Sequence, residues 1–191
     1  PMHLLSHPPG SVEPVAVADA RVACRIDGTD LDGELAGLIS AAREQAEHIT
    51  GRQYRAQVLR ESLAGWPDGT LSLSVDKATA VVITYRSAVS PETWATLDAA
   101  AYRWACFDGR TLINPADGTS WPDLAPDDYP ERVRVDVTSG PAELEQVPES
   151  VRQYILASIA AWLDQPGALA DGRLQPHPLF ERLLDRERLW H

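Results

Sequence analysis

Carboxylates cluster in the short segment at residues 28–33 (GTDLDG), a spacing that invites comparison with a calcium-binding loop. Aligning Gly33 with the invariant glycine of an EF-hand loop puts Asp30 and Asp32 at the third and fifth ligand positions. The first position is then a glycine and the twelfth is Ile39, so two of the carboxylates that such a loop requires are missing. We therefore interpret the segment as the start of a helix with Asp30 as its N-cap, and we predict no metal site.

No other residue pattern points to catalysis or to a bound cofactor. The sequence contains no glycine-rich phosphate-binding loop and no G-x-S-x-G nucleophile motif. Its five histidines are scattered without metal-ligand spacing, at His3, His7, His48, His177 and His191. The two cysteines, Cys24 and Cys106, stand alone, which is typical of small buried side chains, and a single disulfide between them stays open. We predict a protein that is not an enzyme and takes no cofactor; a small enzyme without a recognisable motif stays the alternative.

The charge of the chain argues against a further class of function. The 191 residues carry 17 basic and 28 acidic side chains, a net charge of −11. Duplex DNA binding depends on phosphate neutralisation, so this balance argues against general DNA binding. Residues 111–149 hold nine acidic side chains against two arginines. That segment is either a solvated acidic face or a surface that repels nucleic acid or meets a basic partner. No apolar run reaches the roughly 18 residues that a membrane span needs, so we expect no membrane association.

Two strongly amphipathic segments predict the main helices. The first covers residues 30–50, where apolar side chains recur at the i, i+3, i+4 spacing of one buried face, and Gly51 is placed to end it. Arg43 and Glu47 can pair across one turn on its solvent side. The second helix covers residues 148–165, with a proline at its first position. The residues that we expect to pack the two helices together are Leu35, Leu38, Ile39, Ile155, Ile159 and Trp162.

Between the helices the sequence changes to the period of two that is typical of strands. Residues 133–137 alternate valine with charged side chains, and residues 80–85 form a β-branched run. Asp108 and Gly109 predict a tight hairpin turn. The sequence therefore predicts an α+β fold, with a helical core of two long helices plus a C-terminal amphipathic helix, and an antiparallel β element in the middle of the chain.

The ends of the chain differ in composition from its middle. Residues 1–14 hold four prolines and predict an extended arm, residues 15–165 form the core domain, and residues 166–178 are a linker rich in glycine and proline. Residues 179–191 predict an amphipathic helix that either docks on a neighbouring protein or packs back onto its own domain. If it docks, truncation after Gln175 should leave the melting temperature nearly unchanged. The candidate contact residues are Phe180, Leu183, Leu184, Arg186 and Trp190.

Several short pieces of the sequence, taken in order, carry family information. They are Arg25-Ile26-Asp27, the run LISAAREQAE at residues 38–47, Thr50-Gly51-Arg52, the loop GTSWP at residues 118–122, the strand and turn at residues 133–140, Val147-Pro148-Glu149 and the apolar helix at residues 154–162. In this order and spacing they resemble the phage head-tail connector, or head-completion adaptor, family. The resemblance covers residues 15–165, and no single piece is diagnostic by itself.

The resemblance implies a structural virion protein at the head-tail junction of a tailed phage or gene-transfer-agent particle, made in the bacterial cytoplasm. Such adaptors form a ring, commonly dodecameric, beneath the portal protein and join it to a downstream stopper or tail protein. DNA passes through the channel of the ring without sequence-specific binding, which an acidic chain would favour. Family members hold the portal through terminal helices or arms, so the resemblance assigns portal or neighbouring-subunit contact to residues 179–191. An interaction module of a different assembly is the alternative.

Overall fold

A computed structural model describes residues 2–126, 128–164 and 178–189. Its fold is mixed α+β with antiparallel sheets, as the sequence predicts, with 31% of residues in helices and 26% in strands. None of the helices in the described ranges is long and apolar enough to cross a membrane.

Contacts between residues divide the chain into two units. The sheet unit takes in the residues up to Pro9 and then Ala56–Gly140. The helical unit takes in Gly10–Arg55 and the described residues from Pro141 onward. Because the chain alternates between the two units, these boundaries differ from the single core of residues 15–165 expected from the sequence.

The helical unit contains four α-helices in its described residues. They are α1 (Val17–Ala23), α2 (Asp32–Thr50), α3 (Glu149–Leu163) and α4 (Pro178–Glu181), the last followed by a 3₁₀ turn at Arg182–Leu184. The prediction of Asp30 as N-cap of α2 is wrong. Leu31 takes that position without a side-chain cap, because the segment before it forms a turn in which the Thr29 carbonyl accepts the Asp32 N–H at 3.1 Å. The helix ends as predicted at Gly51, whose left-handed backbone (φ 73°) strains other residues.

The core of the helical unit forms where the apolar faces of α1, α2 and α3 meet. Leu35 and Ile155 are completely buried, and Ile39 is 1% exposed. The six residues expected to pack the long helices together all lie in this one buried cluster. Val15, which precedes α1, and Leu184, which follows α4, belong to the same cluster, so segments far apart in sequence complete this core.

The sheet unit contains eight strands in its described residues. They are β1 (His3–Ser6), β2 (Gln57–Leu63), β3 (Leu71–Leu73), β4 (Ala80–Arg86), β5 (Trp94–Thr96), β6 (Tyr102–Phe107), β7 (Arg110–Pro115) and β8 (Val133–Ser139). Five of them form one sheet in the order β1-β2-β8-β4-β5, and three form a second in the order β3-β7-β6. β1 lies within the segment expected to be an extended arm; its backbone pairs with β2, with His3 opposite Arg60.

The two sheets share one apolar core. β8 lies at the centre of the larger sheet, where Val135 pairs with Glu61 of β2 on one side and Ile83 of β4 on the other. Its alternate valines are completely buried, and they join the same cluster as Leu71 and Ile113 of the smaller sheet. The sequence predicts β4, β8 and the turn between β6 and β7, but it places the core in the helices alone.

Candidate interface surfaces

The C-terminal segment packs against the helical unit. Leu184 is completely buried, the Leu189 N–H donates to the Thr50 carbonyl at 2.9 Å, and the Arg52 Nε donates to the Glu187 carbonyl at 2.7 Å. Helical structure ends at Leu184, so the predicted continuous helix over residues 179–190 is wrong. The backbone turns there to reach the end of α2, which satisfies the carbonyl of Thr50 that the helix leaves open.

The residues proposed as contacts at this end have different environments. Leu184 is part of the chain's own core, so its assignment as an exposed contact is corrected. Phe180 is half-buried against the same core, whereas Leu183 is 39% exposed and Arg186 is exposed. Trp190 and all of the predicted linker except Pro178 lie outside the described residues. Leu179, which was not among the predicted contacts, is 66% exposed and extends the open apolar surface beside Leu183.

A buried ion-pair network fixes the segment before α1 onto α2. The Arg43 guanidinium, only 3% exposed, lies 2.9 Å from Glu13 and 2.7 Å from Glu47. Arg55 reaches the same Glu13 carboxylate at 2.7 Å, and Glu47 also accepts a hydrogen bond from the Tyr54 N–H. The pairing of Arg43 with Glu47 is present as predicted, but it is buried and not on the solvent side, because Glu13 of the segment before α1 lies against Arg43. This network holds the fold together and offers no open surface.

Ion pairs also cover the outer face of the larger sheet. Arg60 donates to both carboxylate oxygens of Asp136, at 2.6 and 2.7 Å. Arg134 donates to both oxygens of Glu131, and its guanidinium lies 3.8 Å from the centre of the Trp94 ring. Of these arginines only Arg60 comes from outside the acidic segment at residues 111–149, so the segment keeps most of the negative charge that its composition gives it.

An exposed hairpin with aromatic and basic side chains lies in the sheet unit. It consists of β6 and β7, joined by Asp108 and Gly109 with φ values of 49° and 71°, the turn that the sequence predicts. β6 forms one edge of its three-stranded sheet in the described part of the chain. Phe107 is 72% exposed and Trp104 is 36% exposed. We call this pair of strands the aromatic hairpin.

Basic residues flank Phe107 on one face of this hairpin. Phe107 lies opposite Arg110 in the register, and alternation puts Arg103 and Ala105 on the same face and Trp104 on the other. Both arginines are exposed. The sequence predicted the hairpin but not its exposure to solvent. A period of two predicts a half-buried strand, and it does not reveal that nothing in the described chain covers the outer face of this hairpin.

A second open surface, in the helical unit, combines apolar and acidic side chains. It spans residues 22–34 and includes Val22 at 80% and Leu31 at 41% exposed. Asp27, Asp30 and Glu34 are exposed in the same segment, as is Arg25. We call it the acidic turn. Of its carboxylates, Asp30 is one of the two first compared with a calcium loop, and the described residues contain no group of three or more His, Cys, Asp or Glu side chains that could hold a metal ion.

The fold itself has counterparts among solved structures, although no family model matches the sequence and no curated protein does. A chain in the neck of the empty gene transfer agent particle, computed with sixfold symmetry, is 22% identical with a TM-score of 0.68. A chain in the neck of the native particle, computed with twelvefold symmetry, is 21% identical with a TM-score of 0.66. A chain in the virion of the native gene transfer agent is 22% identical with a TM-score of 0.69. Each alignment covers 100% of this chain and 96% of the other. This chain therefore shares its whole fold with proteins of a particle neck.

Proposed function

We propose that this chain is a structural virion protein of the neck of a tailed phage or gene-transfer-agent-like particle, and within it the head-tail adaptor. The observation that carries the proposal is the likeness over the complete chain to chains of gene transfer agent necks. Both units and the order in which the chain visits them are included in that match. The sequence pieces that resemble head-completion adaptors support the same role independently.

In this role the chain forms a closed ring, commonly of twelve copies, beneath the portal protein. The neck structures that it resembles were computed with sixfold and twelvefold symmetry, which supports repeated copies around one axis. Contacts in such a ring are head-to-tail, so each copy uses two different surfaces. The net charge of −11 favours passage of DNA through the ring without binding, because like charges repel the phosphates.

The C-terminal end supplies the contact to the portal or to a neighbouring subunit. Leu179 and Leu183 form its open apolar part and Arg186 its basic part. We expect Leu183→Glu with Arg186→Glu to leave folding intact, because both side chains are exposed, and to leave heads without tails. Val89→Glu, at a site that is 90% exposed on the sheet unit, is the matched control and should assemble normally.

Cryo-electron microscopy of particles from cells that produce this chain tests the proposal. We expect density for a ring of this fold between portal and tail. Finding the chain at another position in the particle, or in a non-viral assembly, would favour the interaction-module alternative. Deletion of its gene should yield DNA-filled or empty heads that lack tails, and complete particles in the deletion strain would contradict an adaptor role.

A further inference from the structure

The aromatic hairpin has the features of a protein-binding surface. Five of the six residues of β6 are exposed, and on the face that carries Arg103 the apolar side chains are Ala105 and Phe107, of which Phe107 is 72% exposed. An open apolar edge strand promotes unwanted pairing, and proteins usually blunt such edges with charges, prolines or a covering segment. Arg103 and Arg110 outnumber the exposed Asp108 of the turn and give the hairpin a net positive charge on a chain that is acidic as a whole. Aromatic side chains flanked by arginine are typical of interface anchors.

The acidic turn has the complementary composition. Val22 and Leu31 are its exposed apolar side chains, and the exposed Asp27, Asp30 and Glu34 outnumber the exposed Arg25 and give it a net negative charge. Asp32 in the same segment is already paired with Arg21 at 3.1 Å, so the exposed carboxylates are the ones free to meet a new cation. An apolar surface with net negative charge matches an aromatic surface with net positive charge in both polarity and charge.

We infer that the aromatic hairpin of one copy of this chain docks on the acidic turn of the next copy in the ring; this inference rests on the proposed function. The two surfaces differ from each other, which is what a head-to-tail contact requires. Contact of either surface with its own copy would put arginine against arginine or carboxylate against carboxylate, and like charges disfavour that arrangement. Charge complementarity therefore selects a second copy as the occupant, with hairpin against turn, and the ring of the proposed function makes this contact heterologous.

Photo-crosslinking from the hairpin tests the contact directly. Phe107 is replaced by p-benzoylphenylalanine in the full chain, particles are purified and irradiated, and the joined peptides are identified by mass spectrometry. We expect a product of twice the chain mass in which position 107 is joined to residues 22–34. The same photo-residue at Val89, an equally open position in the sheet unit, is the matched control and should give no such product.

The outcomes separate this inference from the proposed function. Crosslinks to another protein, to another segment of this chain, or to nothing, in particles where imaging shows the chain in the neck ring, would overturn the inference and leave the proposed function standing. Absence of the chain from the neck would overturn the proposed function by itself.

Charge reversal gives a second, independent test. Arg103→Glu with Arg110→Glu should lower the yield of the 107-to-turn crosslink at least about tenfold, and Asp27→Arg with Asp30→Arg should do the same, because each puts like charges in contact. A chain that carries all four changes should regain the crosslink with itself. Failure of the fourfold variant to recover, while its melting temperature equals that of the parent, would contradict the pairing of these two surfaces.

Discussion

Glu47 of the helical unit and Glu131 of the sheet unit both accept hydrogen bonds from an arginine, yet their pKa values shift in opposite directions. Burial raises the pKa of Glu47 above the ordinary 4.5, and the Arg43 guanidinium offsets this only in part. The hydrogen bonds from Arg134 lower the pKa of Glu131 to about 2, with a further contribution from Ser62. The Arg43 side chain is 3% exposed, whereas that of Arg134 is 28% exposed.

The difference shows that an arginine–carboxylate pair has no fixed effect. In the helical unit the pair is covered by the segment before α1, so the loss of hydration opposes the charged form of Glu47. On the sheet unit water still reaches Glu131, and the two hydrogen bonds dominate. The helical unit therefore buries its arginine–carboxylate pair, whereas the sheet unit leaves its pair near solvent.

The largest expected effect tests the core of the helical unit. Ile155→Asp buries a charge without a partner in α3 and should lower the free energy of unfolding by about 4 kcal/mol. Urea denaturation followed by circular dichroism measures the change. Gln153→Asp, at an exposed position of the same helix, is the control; it loses the hydrogen bond to Glu149 and should cost at most about 1 kcal/mol. Equal stability of Ile155→Asp and the parent would contradict the packing of α3 against α2.

The next effect concerns the C-terminal segment. Because this segment packs into the helical core, its removal should destabilise the fold, which is the opposite of what a docking helix would do. Leu184→Ala removes a completely buried side chain and should cost about 3 kcal/mol. Truncation after Gln175 should likewise lower the melting temperature and not leave it unchanged. Leu183→Ala, at a 39% exposed neighbour, is the control and should cost less than about 1 kcal/mol. A truncated chain that melts with the parent would show that this segment is not part of the core.

A smaller effect compares the two arginines directly. Arg43→Leu leaves Glu13 and Glu47 without their shared cation in a poorly hydrated place and should cost about 2 kcal/mol, less than a fully buried pair because both carboxylates keep some access to water. Arg134→Leu should cost under about 1 kcal/mol, because its partner Glu131 can be rehydrated. Thermal melts of both variants in low salt measure these values. Equal losses of stability for the two variants would contradict the difference between a buried pair in the helical unit and a solvated pair in the sheet unit.

The smallest effect is the pH dependence, which has opposite signs at the two carboxylates. Because the folded pKa of Glu131 is about 2 and the ordinary value is 4.5, its contribution to stability is present above pH 4.5 and is lost as the pH falls towards 2. Because the folded pKa of Glu47 is raised, its contribution is present below pH 4.5 and is lost as the pH rises through the folded value. Carbon-detected NMR titration should find Glu47 above 4.5 and Glu131 well below it, with Glu131→Gln and Glu47→Gln assigning the signals. The reverse order of the two midpoints would contradict the comparison.

Sequence reasoning was most successful where a pattern has a local physical cause. The apolar spacing of α2 and α3 predicted which residues are buried, because a helix turns every 3.6 residues whatever surrounds it. The alternation at residues 133–137 predicted the central strand β8, whose burial alternates at every residue. Gly51 and the Asp108-Gly109 turn were predicted from backbone conformations that glycine, aspartate and asparagine tolerate.

The same reasoning failed where a contact joins distant segments. Arg43 was expected in solvent, since the sequence of α2 cannot reveal that Glu13, thirty residues earlier, lies over it. The segment at residues 3–6 was expected to be an open arm, because nothing local shows that β2 has a free edge to pair with. The exposure of Phe107 was not predicted either, because a large apolar side chain is usually buried in a folded protein.

The sequence by itself determined the α+β class, the two long helices, the strand at residues 133–137 and the hairpin turn. Those properties follow from period and turn chemistry, which act over a few residues. The resemblance to head-tail connectors rests separately on the order and spacing of short sequence pieces. Only the tertiary structure decided that there are two units, that the C-terminal segment closes the helical core through Leu184, and that Glu47 and Glu131 have opposite pKa shifts. Burial and hydration depend on every segment that packs around a group, and that information is distributed over the whole chain.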